Sequence, residues 1–394
     1  VTLFEADDRL GGHAHTHDVD DAQAGLLRVD TGFIVHNART YPTLLRLFAE
    51  LGVTTRESDM SMSIRCDGCG LEYSGARGLR GLFPVARRLR EPRFLRMLTE
   101  VVRFHRRARA LIASAEDRPE PTLSEFLDTG HFSPYFRAHF VTPLVSAVWS
   151  CSPTVAGEYP ARYLFTFLDN HGYLSLTGAP TWRTVVGGSG AYVERAAKSL
   201  SSVQTSSPVR TIVRTTDGVL VTTDVNPAEH FDAVVIATHP DQALRLLAEP
   251  TVEQREVFTA IKYSHNPTVL HTDTSTLPRA ARAQASWNYY LPDCAASPDQ
   301  VHVTYDMNRL QGLDSDTRYL VTLNDEGTVD PATVIDRMHY QHPIFTPVSV
   351  AAQKRLPALS DDRIAFAGAY HGWGFHEDGA RSGVAAALSL GVSW

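Results

Sequence analysis

Apolar and polar residues alternate in the opening run VTLFEA (1–6) and again in LLRVDTGFIV (26–35), so both predict β-strands. Tyr41-Pro42 opens the helical period of TLLRLFAELG, which stops at Gly52. Alternation returns at Met60, Met62 and Ile64 and, beyond Cys66-Asp67-Gly68-Cys69, at Leu71 and Tyr73. This predicts a hairpin over about 58–75 with Asp-Gly in its turn. Residues 77–115 read as helical, and 122–179 as helical and aromatic up to the loop GYLSLTGAPTW. RTVVGGSGAYVERAAKSL predicts strand, glycine turn and helix. VRTIVRTT and VLVTTDV flank the turn Asp217-Gly218, and HFDAVVIATHPDQALRLL predicts a buried strand feeding a helix. NPTVLHTD, SWNYYL, VHVTYDM and RYLVTLN predict further strands between about 262 and 325, and DDRIAFAGAYHGWGFHEDGARSGVAAALSLG predicts strand, glycine-rich loop and helix.

Apolar strands of the parallel type therefore stand at the beginning, middle and end of the chain, with helical and antiparallel material between them. That interleaving predicts the α/β class, with a Rossmann-like nucleotide-binding domain assembled from 1–40, 180–247 and 358–394. A discontinuous substrate domain of mixed antiparallel sheet with a helical insertion is expected from 41–179 and 248–357.

Composition narrows the function classes. At 43% hydrophobic, 21% charged and a net charge of −7, the chain is unlike a general nucleic-acid binder. Four cysteines in 394 residues make no disulfide framework, which points to a reducing, cytoplasmic setting. Cys66-Asp67-Gly68-Cys69 has the spacing of half a zinc site or of a redox pair, yet no second CxxC or nearby histidine pair completes it. It reads as a hairpin turn, and no metal is assigned. No apolar run approaches the ~18 residues of a membrane span. Between Arg77 and Arg109 stand eleven arginines against Glu91 and Glu100, a basic arm on an acidic protein. It reads either as solvated helix surface or as a site of peripheral contact with anionic lipid headgroups.

In a dinucleotide-binding βαβ unit, G-x-G-x-x-G joins the first strand to a helix, and an acid about 20 residues on holds the ribose. Glu5, ending a strand that opens the chain, sits where that acid belongs, so the first strand, glycine loop and first helix are expected before Val1 and absent from this chain. Without them weak FAD retention is expected. Inside the chain, Gly187-Gly188-Ser189-Gly190 puts Val193 at the third-glycine position, and Gly372-Trp373-Gly374 puts Glu377 there; neither is followed by a strand ending in an acid.

Glu5, then Arg9-Leu10-Gly11-Gly12-His13 with Thr16, resembles the R-x-G-G-R-x-x-[S/T] signature of flavin amine oxidases, phytoene-desaturase-like enzymes and related FAD proteins. His13 stands where the last arginine usually does. Val29-Asp30-Thr31-Gly32, the turn from Trp182 to Gly190, DAVVIATH and FAGAYHGWGFHEDGARSGVAAA are similar to that superfamily in the same order. More narrowly, FIVHNARTYP, TYDMNRLQGL and YHGWGFHEDGARSG resemble a bacterial group of NAD/FAD-binding oxidoreductases similar to the N-terminal domain of plant cyclopropane fatty acid synthases.

The resemblance implies an FAD-dependent oxidoreductase moving a hydride between an apolar substrate, lipid-like or amine, and flavin N5. It implies cofactor contacts at Glu5, Arg9, Gly11, Gly12, His13, Thr16, Gly32, Trp182, Val209, Ala237, Gly368, Trp373, Gly374, Phe375, Glu377, Asp378 and Ser382. Glu377 is expected to bond a ribityl hydroxyl or backbone, and Asp378 to cap the last helix. Amine-oxidising relatives often carry a lysine near N5, whereas NPTVLHTD has none, and this favours a lipid-like chain over an amine. His271 on that run is a candidate general base, with Tyr370 and His371 as further catalytic candidates in the loop before the last helix. His13, His15 and His17 alternate and could share a face as metal ligands, but a polar loop along the cofactor is the reading adopted. Two rival functions stay open: a non-redox flavoprotein of the isomerase or mutase type, and a degenerate flavin-fold partner of a lipid-modifying enzyme. Oligomeric state is not legible.

Overall fold

Thr2–Phe4 pairs in parallel with Ser202–Gln204, placing Leu3 beside Val203. Val234–Ile236 pairs in parallel with Ile364–Phe366. These four short strands come from the beginning, middle and end of the sequence, as the interleaved pattern requires. The computed structural model describes residues 1–115, 120–175, 178–294, 301–325 and 327–394. An antiparallel sheet of Val209–Arg214, Val219–Thr223 and Glu229–Phe231 lies alongside, and Ile212, Val219, Phe258 and Phe366 share one apolar core with it. The helix His376–Ser389 follows the last strand through a glycine-rich loop.

The larger half of the fold is a seven-stranded sheet ordered Val334–Pro343, Tyr263–His271, Leu320–Leu323, Val303–Asp306, Trp287–Leu291, Met62–Cys66, Leu71–Ser74. Every pairing in it is antiparallel except Trp287–Leu291 with Met62–Cys66. Helices pack beside it. Pro92–Ala113 buries Phe94, Met97, Phe104 and Ala108 at helical spacing, and Phe104 meets Phe126, Phe136 and Phe165 edge-on or tilted. Buried Glu100 on that helix accepts the backbone N–H and hydroxyl of Ser133, which ties the helix to the turn before Pro134–Phe136.

The structure departs from the sequence pattern in three places. The run 26–35 is two strands, Gly25–Asp30 and Val35–Asn37, because Gly32 passes against the backbone of His13: a Cβ there would fall 2.2 Å from the His13 carbonyl oxygen. The run 77–115 is a continuous helix only over Pro92–Ala113. Before it, Gly78 at φ +63° and Pro84 break the chain into short turns, Gly78–Leu82 and Ala86–Arg90. Val334–Pro343 is a ten-residue edge strand that the pattern did not predict, since Asp336, Arg337 and Gln341 dilute its alternation.

Candidate active site

A cavity of about 570 Å³ lies where the parallel strands, the large sheet and the helical layer meet. Its first wall is backbone. Gly11 adopts φ +106°, and a Cβ there would sit 2.5 Å from the carbonyl oxygen of Ala14; this turn and the Gly32 turn let two chain segments run side by side along the cavity. Ala237, Gly368, Gly374 and Phe375 continue that wall, and the start of the last helix adds His376, Gly379 and Ala380. The positive end of that helix therefore adjoins the cavity.

The opposite wall is aromatic. Trp149, Phe167 and Trp182 come from the helical layer and its neighbouring strand, Trp287, Tyr305 and Tyr340 from the sheet. Phe375 stacks on Phe167 at 4.7 Å, and His171 lies between Phe167 and Trp182. Among the described residues that line the cavity there is no Asp, Glu, Lys or Arg.

Histidines supply the titratable groups. Burial first, then His239, pushes His13 down to about 4; burial, then His13 and His239, pushes His342 to about 3; burial, then His13, pushes His376 to about 3. All three are neutral at pH 7. His376 stacks on Phe33 at 3.8 Å, and His239 on Tyr263 at 4.1 Å. His13 Nε2, Tyr370 Oη and Trp287 Nε1 are buried without a partner on side chains that line the cavity.

Of the residues singled out from sequence, Gly11, Gly12, His13, Gly32, Trp182, Ala237, Gly368, Tyr370, Gly374 and Phe375 line this cavity. Others stand behind it. Arg9 donates to the Gly12 carbonyl at 2.9 Å, and Thr16 donates to Asp30 at 2.6 Å while accepting the Gly190 N–H at 2.8 Å. Ser382 holds both the N–H and the carbonyl of Gly368. Asp378 accepts the N–H groups of Trp373 and Phe375, and burial raises it to about 6. Glu377 takes the backbone role: its two oxygens accept the N–H groups of Thr43 and Leu44 at 3.0 and 2.9 Å. Glu5 accepts the Asp7 N–H, and Val209 packs in the smaller core; neither lines the cavity.

Two catalytic expectations need correction. His271 is fully buried in the sheet, its Nε2 2.7 Å from the Thr322 hydroxyl and its Nδ1 accepting the Asp273 N–H, so both nitrogens are engaged away from the cavity. His371 also lies off the cavity wall, beside Tyr370. The three alternating histidines divide: His13 lines the cavity, His15 bonds Tyr340, and His17 meets Thr31 and Asp336. Sequence reasoning missed His239, Gln341 and His342. The signal for His342 was present, because Met338, Tyr340 and His342 keep a period of two.

Residues 1–274 match the family described as flavin containing amine oxidoreductase. The chain belongs to that family. Its members are flavin-containing, which implies FAD here. No curated protein sequence matches the chain. Among solved structures, a cofactor-binding redesign of putrescine oxidase superposes with TM-score 0.69 at 15% identity, covering 98% of this chain and 92% of that one. Cyclohexylamine oxidase from Brevibacterium oxydans gives 0.68 at 16%, with the same coverage. A CLA-producing fatty acid isomerase from P. acnes gives 0.65 at 14%, covering 98% and 91%. At such identities the likeness concerns the fold, a mixed α/β architecture shared over nearly the whole chain.

Proposed function

We propose that the protein is an FAD-dependent oxidoreductase acting on an apolar, lipid-like substrate, with hydride moving between a substrate carbon and flavin N5. The observation that carries the substrate class is the cavity lining, aromatic and free of charged side chains among the described residues. A protonated amine would find no carboxylate there and would leave most of its hydration outside, whereas an acyl or isoprenoid chain loses only apolar contact with water. The lack of a lysine on Tyr263–His271 agrees with this reading.

The residues present fit a flavin. The Gly11 and Gly32 turns pack so closely on the Ala14 and His13 carbonyls that no side chain can stand there, which leaves a backbone wall to the cavity, and the N-terminal end of His376–Ser389 adjoins the cavity where negative charge would collect. We assign this role to the discontinuous unit 1–40, 180–247 and 358–394, with Gly11, Gly12, His13, Gly32, Ala237, Gly368 and Gly374 against the cofactor. When bound, FAD supplies the hydride acceptor. The aromatic walls exclude water and orient the chain, and His13 and His342, held neutral by burial, line the site without adding charge. Substrate and water compete for the same apolar space, so closure by substrate itself strengthens every dipole in the site.

Anaerobic titration of the flavin-loaded protein tests the reading. Stoichiometric bleaching of the visible flavin band by a long-chain apolar substrate, with none by short diamines, supports it. Turnover without net bleaching would assign the protein to the isomerase class, and a full-length chain that never acquires flavin would make it a binding partner.

The second part of the proposal concerns the arginine-rich segment. Leu79, Val85 and Leu89 stand exposed among Arg80, Arg87 and Arg90, a pairing of apolar and cationic side chains suited to an anionic lipid surface. No helix among the described residues is long and apolar enough to cross a membrane. Flotation with anionic liposomes that fails at high salt, and fails with Leu79→Glu/Leu89→Glu, is the expected result; equal partitioning onto neutral vesicles would remove the idea.

A further inference from the structure

The CxxC turn acquires partners that its sequence neighbourhood lacks. Cys66 and Cys69 close the hairpin between Met62–Cys66 and Leu71–Ser74. His139 reaches them from the helical layer and Cys294 from the segment after Trp287–Leu291. The four donor atoms lie within 4.8 Å of one another, the single such grouping among the described residues. We propose that Cys66, Cys69, His139 and Cys294 bind a structural Zn²⁺ ion, a Cys₃His centre outside the flavin cavity and independent of the flavin reading.

Distances favour a metal over a covalent bond. Tetrahedral zinc with Zn–S of ~2.3 Å and Zn–N of ~2.0 Å sets S···S edges of about 3.8 Å and S···N edges of about 3.5 Å. Cys66 Sγ lies 3.7 Å from Cys294 Sγ, and Cys69 Sγ 3.7 Å from His139 Nε2. A disulfide needs ~2.05 Å. Two edges thus match a zinc tetrahedron, and the remaining donor pairs lie within 4.8 Å, close enough for small side-chain shifts to complete it.

The surroundings hold the ligands in a binding state. His139 is fully buried, and its Nδ1 donates to the Tyr135 carbonyl at 3.0 Å, which leaves Nε2 as the lone-pair nitrogen toward the cysteines. Tyr135 stacks on the ring at 4.1 Å, and Tyr73 donates to the His139 carbonyl at 2.7 Å. His139 sits in a one-turn π-bulge, Arg137–Val141, a local widening that often marks a functional residue. Gly68 allows the turn to lie against Asp293, since a Cβ there would come 2.7 Å from the Asp293 Cα. Three thiolates on Zn²⁺ leave one net negative charge. Arg88, 2% exposed and ion-paired through Nη1 with Glu91, keeps Nε and Nη2 unpartnered and lines a surface cavity that Cys66 also lines.

With four protein ligands and no open position, the centre is structural. It would tie the edge of the large sheet to the helical layer, two walls that contribute Met60 and Trp149 to the flavin cavity.

The test is metal content of the untagged full-length chain grown with zinc. One zinc per chain is expected, lost in Cys69→Ser and Cys294→Ser and kept in Cys151→Ala, whose cysteine lies outside the group. On the wild-type chain, a mercurial titration read with a zinc dye should release one equivalent. Cobalt exchange should give the ligand-field bands of a tetrahedral thiolate site. Less than about a tenth of a zinc per chain, undiminished zinc in both serine variants, or a Cys66–Cys69 or Cys66–Cys294 disulfide in peptides mapped without reductant would each overturn the assignment.

Discussion

Replacing Glu377 tests how the last helix is fastened to the rest of the fold. Helix Pro42–Glu50 begins with Tyr41 at its N-cap position, a residue that cannot accept a hydrogen bond from the first turn, and no side-chain cap is formed. Glu377, from the other end of the sequence, accepts the N–H groups of Thr43 and Leu44 instead. Its carboxylate is 9% exposed and lies at the start of His376–Ser389, so two helix N-termini converge on one negative charge. Each charge-assisted bond contributes roughly 1.5–3 kcal/mol. Glu377→Ala leaves two N–H groups without an acceptor and should cost about 3–5 kcal/mol. Glu377→Gln keeps the shape and one acceptor but turns an NH₂ against the second N–H, and should cost about 2 kcal/mol. Urea unfolding followed by tryptophan fluorescence measures both, with the midpoint falling and the slope unchanged. If Ala and Gln variants unfold within about 0.5 kcal/mol of the parent, the trans cap contributes nothing and the reasoning fails.

Lowering the pH from 7 to 5 should destabilise the fold. His13, His342 and His376, depressed to about 4, 3 and 3, bind protons more readily unfolded than folded, and each costs about 2 kcal/mol by pH 5. Asp30 and Asp378, raised to about 6 by burial, work in the opposite direction and return about 1 kcal/mol each over the same interval; His15, His36, His105, His171, His271, His302 and His371, likewise depressed by burial, add to the loss, so a net destabilisation of several kcal/mol is expected. A melting temperature that stays level or rises toward pH 5 would contradict this. Gly32→Ala should be poorly tolerated, because its Cβ meets the His13 carbonyl; the expected readout is a lower melting temperature together with reduced flavin retention after gel filtration, and normal values for both would refute the backbone wall. Asp30→Asn should cost about 1–3 kcal/mol, since Asp30 accepts the Ser189 N–H and the Thr16 and Ser189 hydroxyls, and an amide repels at least one of those donors; denaturant midpoints at pH 7 decide it.

Local pattern carried much of the architecture. The hairpin at Met62–Ser74, the strands Trp287–Leu291 and Leu320–Leu323, and the turn from Trp182–Val185 into Gly190–Ala197 all follow from alternation and glycine placement. What depends on distant partners was not legible. The alternation that places His271 on a strand cannot reveal that Thr322 occupies its ring nitrogen, and the same limit hid His139 and Cys294 from the CxxC turn. In Val334–Pro343 the exposed side of an edge strand carries charge, which weakens the period without abolishing the pairing. The break at Gly78 and Pro84 was readable, yet the density of arginines and leucines around it suggested a longer helix than forms.

The walls of the cavity are contributed by residues as early as Gly11 and as late as Ala380. During synthesis, then, the ribosome must deliver the last of these before the pocket can close. Until that moment the aromatic side chains meant for the interior lack part of their covering, so the nascent chain should be most prone to aggregate before residue 380 emerges.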